Sequence, residues 1–446
     1  MVWARGVTTI VAAMMVAVSA AHAQEGAPET YWPQWRGPLA TGVTPDGHPP
    51  VSWSETENIR WKVPIPGKGS ASPIVWGDKV FVLTAVATGE ESSRREGLFS
   101  RLRRRIVGGI AASEVLRFTV IAYSRHDGRV LWERVAAEEL PHEGTHQTGS
   151  FAAPSAVADE EQVCAFFGSR GLYCYDLDGR LLWEQDLGDM TIRLGFGEGA
   201  SPVLYKDAIV VNWDHQGQSF ITALDKRTGR ERWRVERDEQ SSWSTPLVVE
   251  HGGRAQVVTS ATSRVRSYDL ETGRLIWEAD GLTQNAIPSP VAAEGMVFVT
   301  SGYSGNRLWA VRLAAAQGDI TDSDAIAWSL DEDTPYVPSP VLHDGILYLL
   351  KSNRGVLSAY DAKTGQRHYG PERLPGIRNV YASPVAADGR IYITSREGTT
   401  LVIADGPRVE VLATNVLDDG FDASPAVVGD AIYMRGQEFL YCIASN

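Results

Sequence analysis

The feature that most constrains the fold of this chain is a short phrase that recurs along its length. The phrase joins a turn to an aromatic residue, and its copies read YSRHDGRVLW, CYDLDGRLLW, ALDKRTGRERW, SYDLETGRLIW and AYDAKTGQRHY. Asp-Gly and Thr-Gly pairs favour turns, and the flanking residues are typical of short strands. A unit repeated in this way is architectural, so we predict a repeat protein.

A second phrase falls between copies of the first. It begins with Ser-Pro or Thr-Pro, continues with apolar residues and ends in a turn, as in SPVLHDG at Ser339. APSAVAD at Ala153 and TPLVVEHGG at Thr245 are looser copies. The prolines of the eight copies are 81, 48, 44, 44, 50, 44 and 41 residues apart, and they are Pro73, Pro154, Pro202, Pro246, Pro290, Pro340, Pro384 and Pro425.

Each repeat divides into four short strands separated by Asp/Gly turns. A repeat of this length, built only from strands, is typical of a propeller blade. We therefore predict an all-β fold, an eight-bladed β-propeller of four-stranded antiparallel blades.

The outermost strand of a blade is expected to end in a tryptophan that docks between neighbouring blades. The tryptophans in this position are Trp61, Trp132, Trp183, Trp233 and Trp277. The last repeat stops after three strands, whereas NIRWKVPI near the N-terminus is a strand without a blade. We expect this N-terminal strand to complete the last blade, which leaves no sheet edge open. Residues 58–446 then form one propeller, preceded by a loop segment at residues 24–57.

The first residues, MVWARGVTTIVAAMMVAVSAAHA, combine Arg5, an apolar run and a small-x-small site that ends at Ala23. This is the pattern of a signal peptide, so we expect residues 1–23 to be removed and the protein to be periplasmic or secreted. No cysteine stands at the cleavage point to carry a lipid anchor. No other apolar run is long enough to cross a bilayer.

The net charge of −13 argues against a nucleic-acid partner, which requires a basic surface. Three cysteines are too few for a disulfide framework. Cys164 and Cys174 flank the turn GSRGL on adjacent predicted strands, and both a cross-strand disulfide and two packed thiols are consistent with that placement. We expect a monomer.

The paired phrases resemble the pyrroloquinoline-quinone (PQQ) type repeat, whose eight-bladed propellers have the same outer tryptophan. Quinoprotein alcohol dehydrogenases, BamB of the outer-membrane β-barrel assembly machinery and exported PQQ-like propellers without assigned chemistry share this repeat. The stretches WPQWRGP, FGEGASP, NWDHQGQSF and SSWSTP are most similar to the third group.

The resemblance to the quinoproteins is incomplete. Those enzymes pair two adjacent cysteines beneath the quinone and hold calcium with Glu, Asn and Asp oxygens. This chain has no Cys-Cys dipeptide and no matching ligand set. We therefore expect no cofactor, with PQQ and calcium as the alternative. The lipid-bearing cysteine of BamB is absent as well.

In a propeller the loops between second and third strands share one face with the connectors between blades, and variable loops of this kind bind ligands. In a chain this acidic, arginines on that loop face would attract an anionic ligand. Alternatively, each arginine pairs with a nearby carboxylate, such as Asp214 or Glu397. The arginines are Arg170, Arg264, Arg354, Arg396 and Arg435.

Five further residues on this face are candidates for ligand or partner binding. Two of the five, Trp243 and Asn285, are predicted together with Tyr336 and Tyr381 to line a central funnel or to cap the inner strands. The five are Asp214, His215, Trp243, Asn285 and Tyr303.

Two sets of residues have the types required for catalysis or metal binding. Asp214, His215 and Ser219 have the residue types of a hydrolase triad, but closeness in sequence does not give the geometry. Turn hydrogen bonds are the favoured interpretation. His142, His146 and His215 lack the spacing of a zinc motif. We predict no catalytic residue and no metal site.

The long first gap contains an insertion at about residues 88–117, which includes the basic run SRLRRRI. Such a run could contact an anionic membrane surface or an acidic partner. A disordered surface loop is the favoured interpretation.

Together these features favour a non-catalytic periplasmic scaffold, similar to BamB, that binds a protein segment or an anionic ligand on its loop-rich face. The alternative is a divergent PQQ-dependent quinoprotein oxidoreductase of the alcohol dehydrogenase type. A polysaccharide-processing enzyme that uses funnel carboxylates and histidines is a third hypothesis.

Overall fold

Eight antiparallel sheets, one for each repeat, surround a central axis in the computed structural model, which describes residues 30–91 and 108–445. This confirms the predicted all-β, eight-bladed propeller. The strands of the first half are β1 (Ile59–Pro64), β2 (Ile74–Trp76), β3 (Lys79–Glu91), β4 (Gly109–Ile110), β5 (Glu114–Ser124), β6 (Val130–Glu139), β7 (Thr145–His146), β8 (Val157–Ala158), β9 (Gln162–Phe166), β10 (Leu172–Asp176), β11 (Leu181–Gln185), β12 (Val203–Tyr205), β13 (Ala208–Trp213), β14 (Ser219–Asp225) and β15 (Glu231–Arg237).

The remaining strands are β16 (Leu247–His251), β17 (Arg254–Thr259), β18 (Arg264–Asp269), β19 (Leu275–Asp280), β20 (Val291–Ala293), β21 (Met296–Ser301), β22 (Arg307–Arg312), β23 (Gly318–Asp319), β24 (Ile326–Leu330), β25 (Val341–His343), β26 (Ile346–Leu350), β27 (Val356–Asp361), β28 (Arg367–Arg373), β29 (Val385–Ala387), β30 (Arg390–Thr394), β31 (Thr399–Ala404), β32 (Val411–Val416), β33 (Ala426–Val428), β34 (Ala431–Arg435) and β35 (Phe439–Ala444). Short 3₁₀ segments lie at Gly168–Arg170, Arg193–Gly195 and Leu313–Ala315.

The blades follow the repeats in order. Blade one is β2-β3-β5-β6, blade two β8–β11, blade three β12–β15 and blade four β16–β19. Blade five is β20-β21-β22-β24, blade six β25–β28 and blade seven β29–β32. Strand β23 adds a fifth, parallel strand to the outer edge of β19, and β4 pairs separately with β7. The first strands of successive blades contact one another and therefore surround the axis.

The last blade is closed by both ends of the chain. It contains β33, β34 and β35, and β1 completes it by pairing antiparallel with β35, with Trp61 opposite Cys442. This confirms the predicted closure by the N-terminal strand. The outermost strand of the final blade is therefore supplied by the start of the chain.

A closed ring of hydrogen bonds joins the eight blades near the axis. Two residues before each first strand, a Ser or Thr hydroxyl accepts the backbone N–H of the equivalent residue in the preceding blade, at 2.8–3.2 Å. The ring residues are Ser72, Ser155, Ser201, Thr245, Ser289, Ser339, Ser383 and Ser424.

The ring corrects one detail of the repeat. In seven blades the ring residue is followed by proline, but in blade two Ser155 is followed by Ala156. Pro154 therefore lies two positions before the site that the other seven prolines occupy. The proline in APSAVAD does not mark the equivalent residue.

Four of the five predicted tryptophans contact the following blade. Their indole N–H groups donate to backbone carbonyls at 2.8–3.0 Å. A glycine of the next Asp-Gly or Thr-Gly turn lies against each indole, so closely that a Cβ at Gly229 would stand 2.4 Å from the Trp183 ring. The four are Trp61, Trp132, Trp183 and Trp233.

Trp277 is placed differently. Its indole N–H donates to Gln256 Oε1 of its own blade at 3.0 Å. Blade five has no Thr-Gly turn, and the segment between β22 and β24 covers Trp277 with Leu313 and Ile320. Trp328 of blade five is an outer tryptophan that the repeated phrase did not identify.

The segment before the propeller lies across the face that carries the short turns. Trp32 pairs with Val75 of blade one, and Val43 pairs with Ala386 of blade seven. His48 donates its backbone N–H to Gly429, in the turn between β33 and β34. Pro33 accepts the backbone N–H of Ala158 in blade two and Trp35 donates to Ser289 of blade five, so the segment also crosses the axis.

Arg36 anchors this segment without a carboxylate. It is 1% exposed and donates to the carbonyls of Thr41 at 2.6 Å, Pro384 at 2.8 Å and Pro340. Burial lowers the pKa of Arg36 to about 9.

Cys164 on β9 and Cys174 on β10 stand directly opposite each other and are joined by a disulfide. Of the two arrangements left open by the sequence, the structure contains the disulfide. Cys442 is free and buried, and burial raises the pKa of its thiol to about 11.

Two predictions lie outside the described residues, namely the signal peptide at residues 1–23 and the basic run SRLRRRI. Both ends of the insertion are described: residues 88–91 extend β3, residues 114–117 begin β5, and Gly109 in β4 pairs with His146 in β7. The predicted disordered loop is therefore wrong for these parts of the insertion. Within residues 30–91 and 108–445, no helix has the length and apolar character needed to span a membrane.

Candidate functional site

A cavity of about 450 Å³ lies on the axis and opens on the loop face. We place it on the axis because all eight connectors that lead into the blades contribute to its lining. The contributing residues are Ser70, Ser150, Gly199, Trp243, Asn285, Tyr336, Tyr381 and Asp422.

The floor of the cavity combines ring hydroxyls with a tryptophan from the N-terminal segment. Trp35 reaches the cavity from the turn face, and its indole N–H donates to Ser289 Oγ at 3.1 Å. Five ring hydroxyls line the floor, those of Ser201, Thr245, Ser289, Ser339 and Ser383.

Aromatic side chains form the walls. The indole N–H of Trp243 donates to the Gly197 carbonyl at 2.7 Å, which fixes the plane of that ring. Tyr303 and Tyr336 are stacked, with ring centroids 4.8 Å apart. The six aromatic lining residues are Trp35, Phe196, Trp243, Tyr303, Tyr336 and Tyr381.

Asn285 places an amide in the wall. The residue is 2% exposed, and among the described residues its Oδ1 has no hydrogen-bond partner. A buried polar atom without a hydrogen-bond partner is unusual, so the Oδ1 of Asn285 is a candidate acceptor for a ligand.

A short polar chain connects two other walls. His146 Nδ1 lies 2.7 Å from Thr148 Oγ1, which lies 3.2 Å from the Tyr381 hydroxyl. Burial, and then the positive charge of Arg396, lower the pKa of His146. The imidazole is therefore neutral near pH 7.

Two carboxylates line the cavity, and both have partners. Asp422 forms a bidentate pair with Arg396, with Nη2 to Oδ2 at 3.1 Å, and the guanidinium lies 4.3 Å from the Tyr381 ring. Glu198 accepts the backbone N–H of Ser169 at 2.7 Å and its hydroxyl at 2.5 Å. Burial raises the pKa of Glu198.

The five predicted arginines do not form a ring around the cavity, and no Lys or Arg is present among the described lining residues. Arg170 pairs with Glu139 and Asp189. Arg264 lies within 3.5 Å of Asp280 and Asp319.

Arg396 pairs with Asp422, as described above, so three of the five arginines are ion-paired. Arg435 is buried and donates to the Leu83 carbonyl, and burial lowers its pKa to about 10. Arg354 is exposed, and no side-chain partner for it exists within the described ranges. The alternative of ion pairing therefore describes three arginines, although their partners are not Asp214 or Glu397.

Asp214 belongs to a buried polar network rather than to the cavity. Its carboxylate accepts from Arg237 at 2.8 and 3.1 Å, from Asn212 at 3.0 Å and from the Ser242 hydroxyl at 2.7 Å. Burial alone would lower the pKa of Arg237, but the Asp214 charge raises it. The network fixes the connector that presents Trp243.

His215 and Ser219 do not complete a hydrolase triad. His215 Nδ1 accepts the Thr191 N–H at 3.0 Å, and Nε2 lies 3.1 Å from the Gln218 carbonyl. Ser219 is fully buried and donates to backbone carbonyls of His215 and Glu239. These are the turn hydrogen bonds favoured from the sequence.

The three loop-face histidines have separate partners. His142 Nε2 lies 2.7 Å from the Met190 carbonyl, while His146 and His215 bond to Thr148 and Gln218. Within the described ranges, the grouping of potential metal ligands is His343, Asp344 and Asp405, on the turn face. The sequence did not single out that grouping.

Sequence reasoning missed Trp35, Glu198 and Asp422 as lining residues. Trp35 and Glu198 fall in WPQWRGP and FGEGASP, two of the stretches that are similar to exported PQQ-like propellers. Trp243, Asn285, Tyr303, Tyr336 and Tyr381 do line the cavity. For Glu198 and Asp422 the signal available was their position just before a Ser-Pro phrase, whereas Trp35 has no such signal.

The closed ring, the outer tryptophans and the axial cavity define an eight-bladed propeller of the PQQ-repeat type. A family model described as "Outer membrane protein assembly factor BamB" matches residues 43–193 and 217–445. Because the match extends over most of the chain, the protein belongs to this family.

Individual relatives are distant. A BamB from Francisella salina is 24% identical over 225 residues, a match that spans 42% of this chain and 42% of the relative. The structure of BamB from Moraxella catarrhalis covers 81% of this chain and 100% of its own, with 13% identity and a TM-score of 0.54. A europium-containing methanol dehydrogenase covers 92% and 91%, with 11% identity and a TM-score of 0.60. The structural similarities show the fold alone.

The cavity does not fit PQQ with calcium. PQQ has three carboxyl groups, whereas Lys and Arg are missing from the described lining. Glu198 and Asp422, which would have to serve a cation, already have partners. The Cys164–Cys174 disulfide lies in the core of blade two and is not part of the lining. We assign no step to the quinone.

Proposed function

We propose that this protein is a non-catalytic scaffold of the periplasm that binds a segment of a partner protein on its loop face. Membership of a family described as assembly factors supports a protein partner. The signal-peptide pattern of residues 1–23 supports export.

The observation that carries this proposal is that the reactive groups of the loop face are held in structural hydrogen bonds. Asp214 is paired with Arg237, Ser219 is buried against carbonyls, and His215 ties two loops together. A rigid scaffold with loops on one side is suited to binding. Hydrolysis by a Ser-His-Asp triad requires the serine and the histidine to be in contact with each other, and here each is bonded to backbone groups.

The anionic-ligand version of the proposal receives less support. Of the five predicted arginines, Arg354 is the one that is exposed and has no side-chain partner among the described residues, so an acidic group on the partner would meet one of these five guanidinium groups rather than all of them. We therefore favour a protein segment.

A photo-crosslinking amino acid tests the proposal. Placed at Ile110 or Arg354, both exposed on the loop face, it should form adducts with envelope proteins of the source organism. Lys363, in a turn of the opposite face, is the matched control and should form none. Adducts from both faces alike, or from neither, would contradict the proposal.

The quinoprotein alternative has its own test. Adding PQQ and calcium to the purified protein should leave the melting temperature unchanged and give no dye-linked alcohol oxidation. A ligand that binds the native state must raise the melting temperature. A rise together with turnover would replace the scaffold proposal by an enzyme.

A further inference from the structure

We propose that the axial cavity is a binding site for a neutral saccharide of one or two rings. Its volume of about 450 Å³ lies within the range of ordinary small-molecule sites. The proposal is independent of the protein partner, which would contact the outer loops.

The floor supplies hydrogen-bond donors. Each of the five floor hydroxyls accepts a backbone N–H from the preceding blade, and none donates its own proton to an acceptor within the described ranges. A hydroxyl has one proton to donate and can rotate to suit a partner. Several O–H groups can therefore donate toward the axis, which suits a ligand rich in acceptor oxygens.

The walls supply flat apolar faces and an acceptor. Trp243 and the stacked pair Tyr303 and Tyr336 line the cavity, and one face of a sugar ring consists of C–H groups that pack on aromatic rings. Asn285 lines the same wall, and a rotation of its amide toward the cavity would let the unpartnered, buried Oδ1 accept a sugar hydroxyl. The hydroxyl groups of a sugar both donate and accept hydrogen bonds, so they can accept from the floor hydroxyls and donate to Asn285 at the same time.

Charge selects among ligand classes. An anion would meet no Lys or Arg in the described lining and would approach Glu198 and Asp422. A cation would face the O–H donors of the floor, and Asp422 is already neutralised by Arg396. A neutral, oxygen-rich ligand avoids the unfavourable contacts of the anion and those of the cation.

Isothermal titration calorimetry on the full-length protein tests the proposal. The neutral probes are maltose, cellobiose and N,N′-diacetylchitobiose, and the charged probes are glucuronate and choline. We expect saturable binding of a neutral disaccharide at about 10 mM or below, where a site with Kd near ~1 mM is mostly filled. The charged probes should not bind.

Two variants locate the site. Tyr303→Ala removes a half-exposed wall, and Asn285→Gly removes the amide at a position where φ is 59° and glycine is tolerated. Each should weaken binding about tenfold, which is the loss expected for one packed aromatic ring or one hydrogen bond. Tyr205→Ala, on the turn face, is the matched control and should bind like the native protein.

Three results would overturn the proposal. They are no binding of any neutral probe, binding of glucuronate or choline in place of the disaccharides, and disaccharide binding that Tyr303→Ala and Asn285→Gly leave intact. Unchanged melting temperatures separate lost binding from lost folding. Because photo-crosslinking at Arg354 does not involve the cavity, its outcome stands apart from all three.

Discussion

Asp214 and Arg237 have side chains that are 0% exposed, so each depends on the other for charge compensation. Removing one partner of a buried pair typically costs about 3–5 kcal/mol because the other charge stays buried alone. We predict that Asp214→Ala lowers the free energy of unfolding by about that amount in urea titrations. Arg227→Ala, which breaks an exposed pair with Glu161, should have little effect. If both variants lost the same free energy of unfolding, Asp214 would not be needed to compensate the buried charge of Arg237.

His343 and Asp405 make stability depend on pH. The hydrogen bond to Asp405 raises the pKa of His343 above 6.5. Burial alone would raise the pKa of Asp405, but the bonds from His343 and Tyr348 lower it below 3.8. The stabilisation is therefore complete between these two values, fades as pH rises through the raised pKa, and fades as pH falls through the lowered one.

The prediction compares the native protein with His343→Gln. The difference in melting temperature should be largest near pH 5 and should shrink by pH 9, as followed by circular dichroism. A difference that does not change with pH would show that the imidazole charge contributes nothing.

At the scale of elements, the contact between turn and tryptophan holds adjacent blades together. Gly229 has φ of +68°, and a Cβ there would stand 2.4 Å from Trp183, whereas Gly252 has φ of +59° and open space around it. Alanine at either position has the cost of a left-handed backbone, about 1 kcal/mol. Only Gly229→Ala adds overpacking, about 1–3 kcal/mol. We predict a clearly lower unfolding midpoint for Gly229→Ala than for Gly252→Ala, and equal midpoints would refute the contact.

The repeated phrase was sufficient to predict the contact between an outer tryptophan and the turn of the next blade where both belong to copies of the phrase. Trp132, Trp183 and Trp233 follow a Gly-containing turn, and each contacts the turn of the next blade. Trp277 departs because the residues that cover it belong to an insertion in the following blade. The position of a residue within its own repeat gives no information about an insertion in the neighbouring repeat.

For the whole molecule, periodicity predicted the number of blades and the closure, because each unit can bury its apolar faces only against its neighbours. The arginine partners could not be predicted. Asp422 is 26 residues from Arg396 and belongs to the next connector, so their contact is set by the ring rather than by local sequence. Trp35 reaches the cavity only because its segment crosses the axis.

Closure predicts a difference between two truncations. A chain that starts at residue 58 keeps β1, whereas a chain that starts at residue 65 leaves the edge of β35 unpaired. Unpaired edges recruit other chains. Sedimentation velocity should show concentration-dependent association for the shorter chain only. If both associate alike, β1 is not the element that protects the edge.

Because β1 pairs only with β35, the first strand of the propeller has no hydrogen-bonded neighbour until the last strand has been made. Contacts between the two ends of a chain are the slowest to form, since the longest loop must close first. A nascent chain that stops before Phe439 leaves β1 without a partner and the outer edge of β34 unpaired. Synthesis of β35 is thus the step that allows the last blade to form.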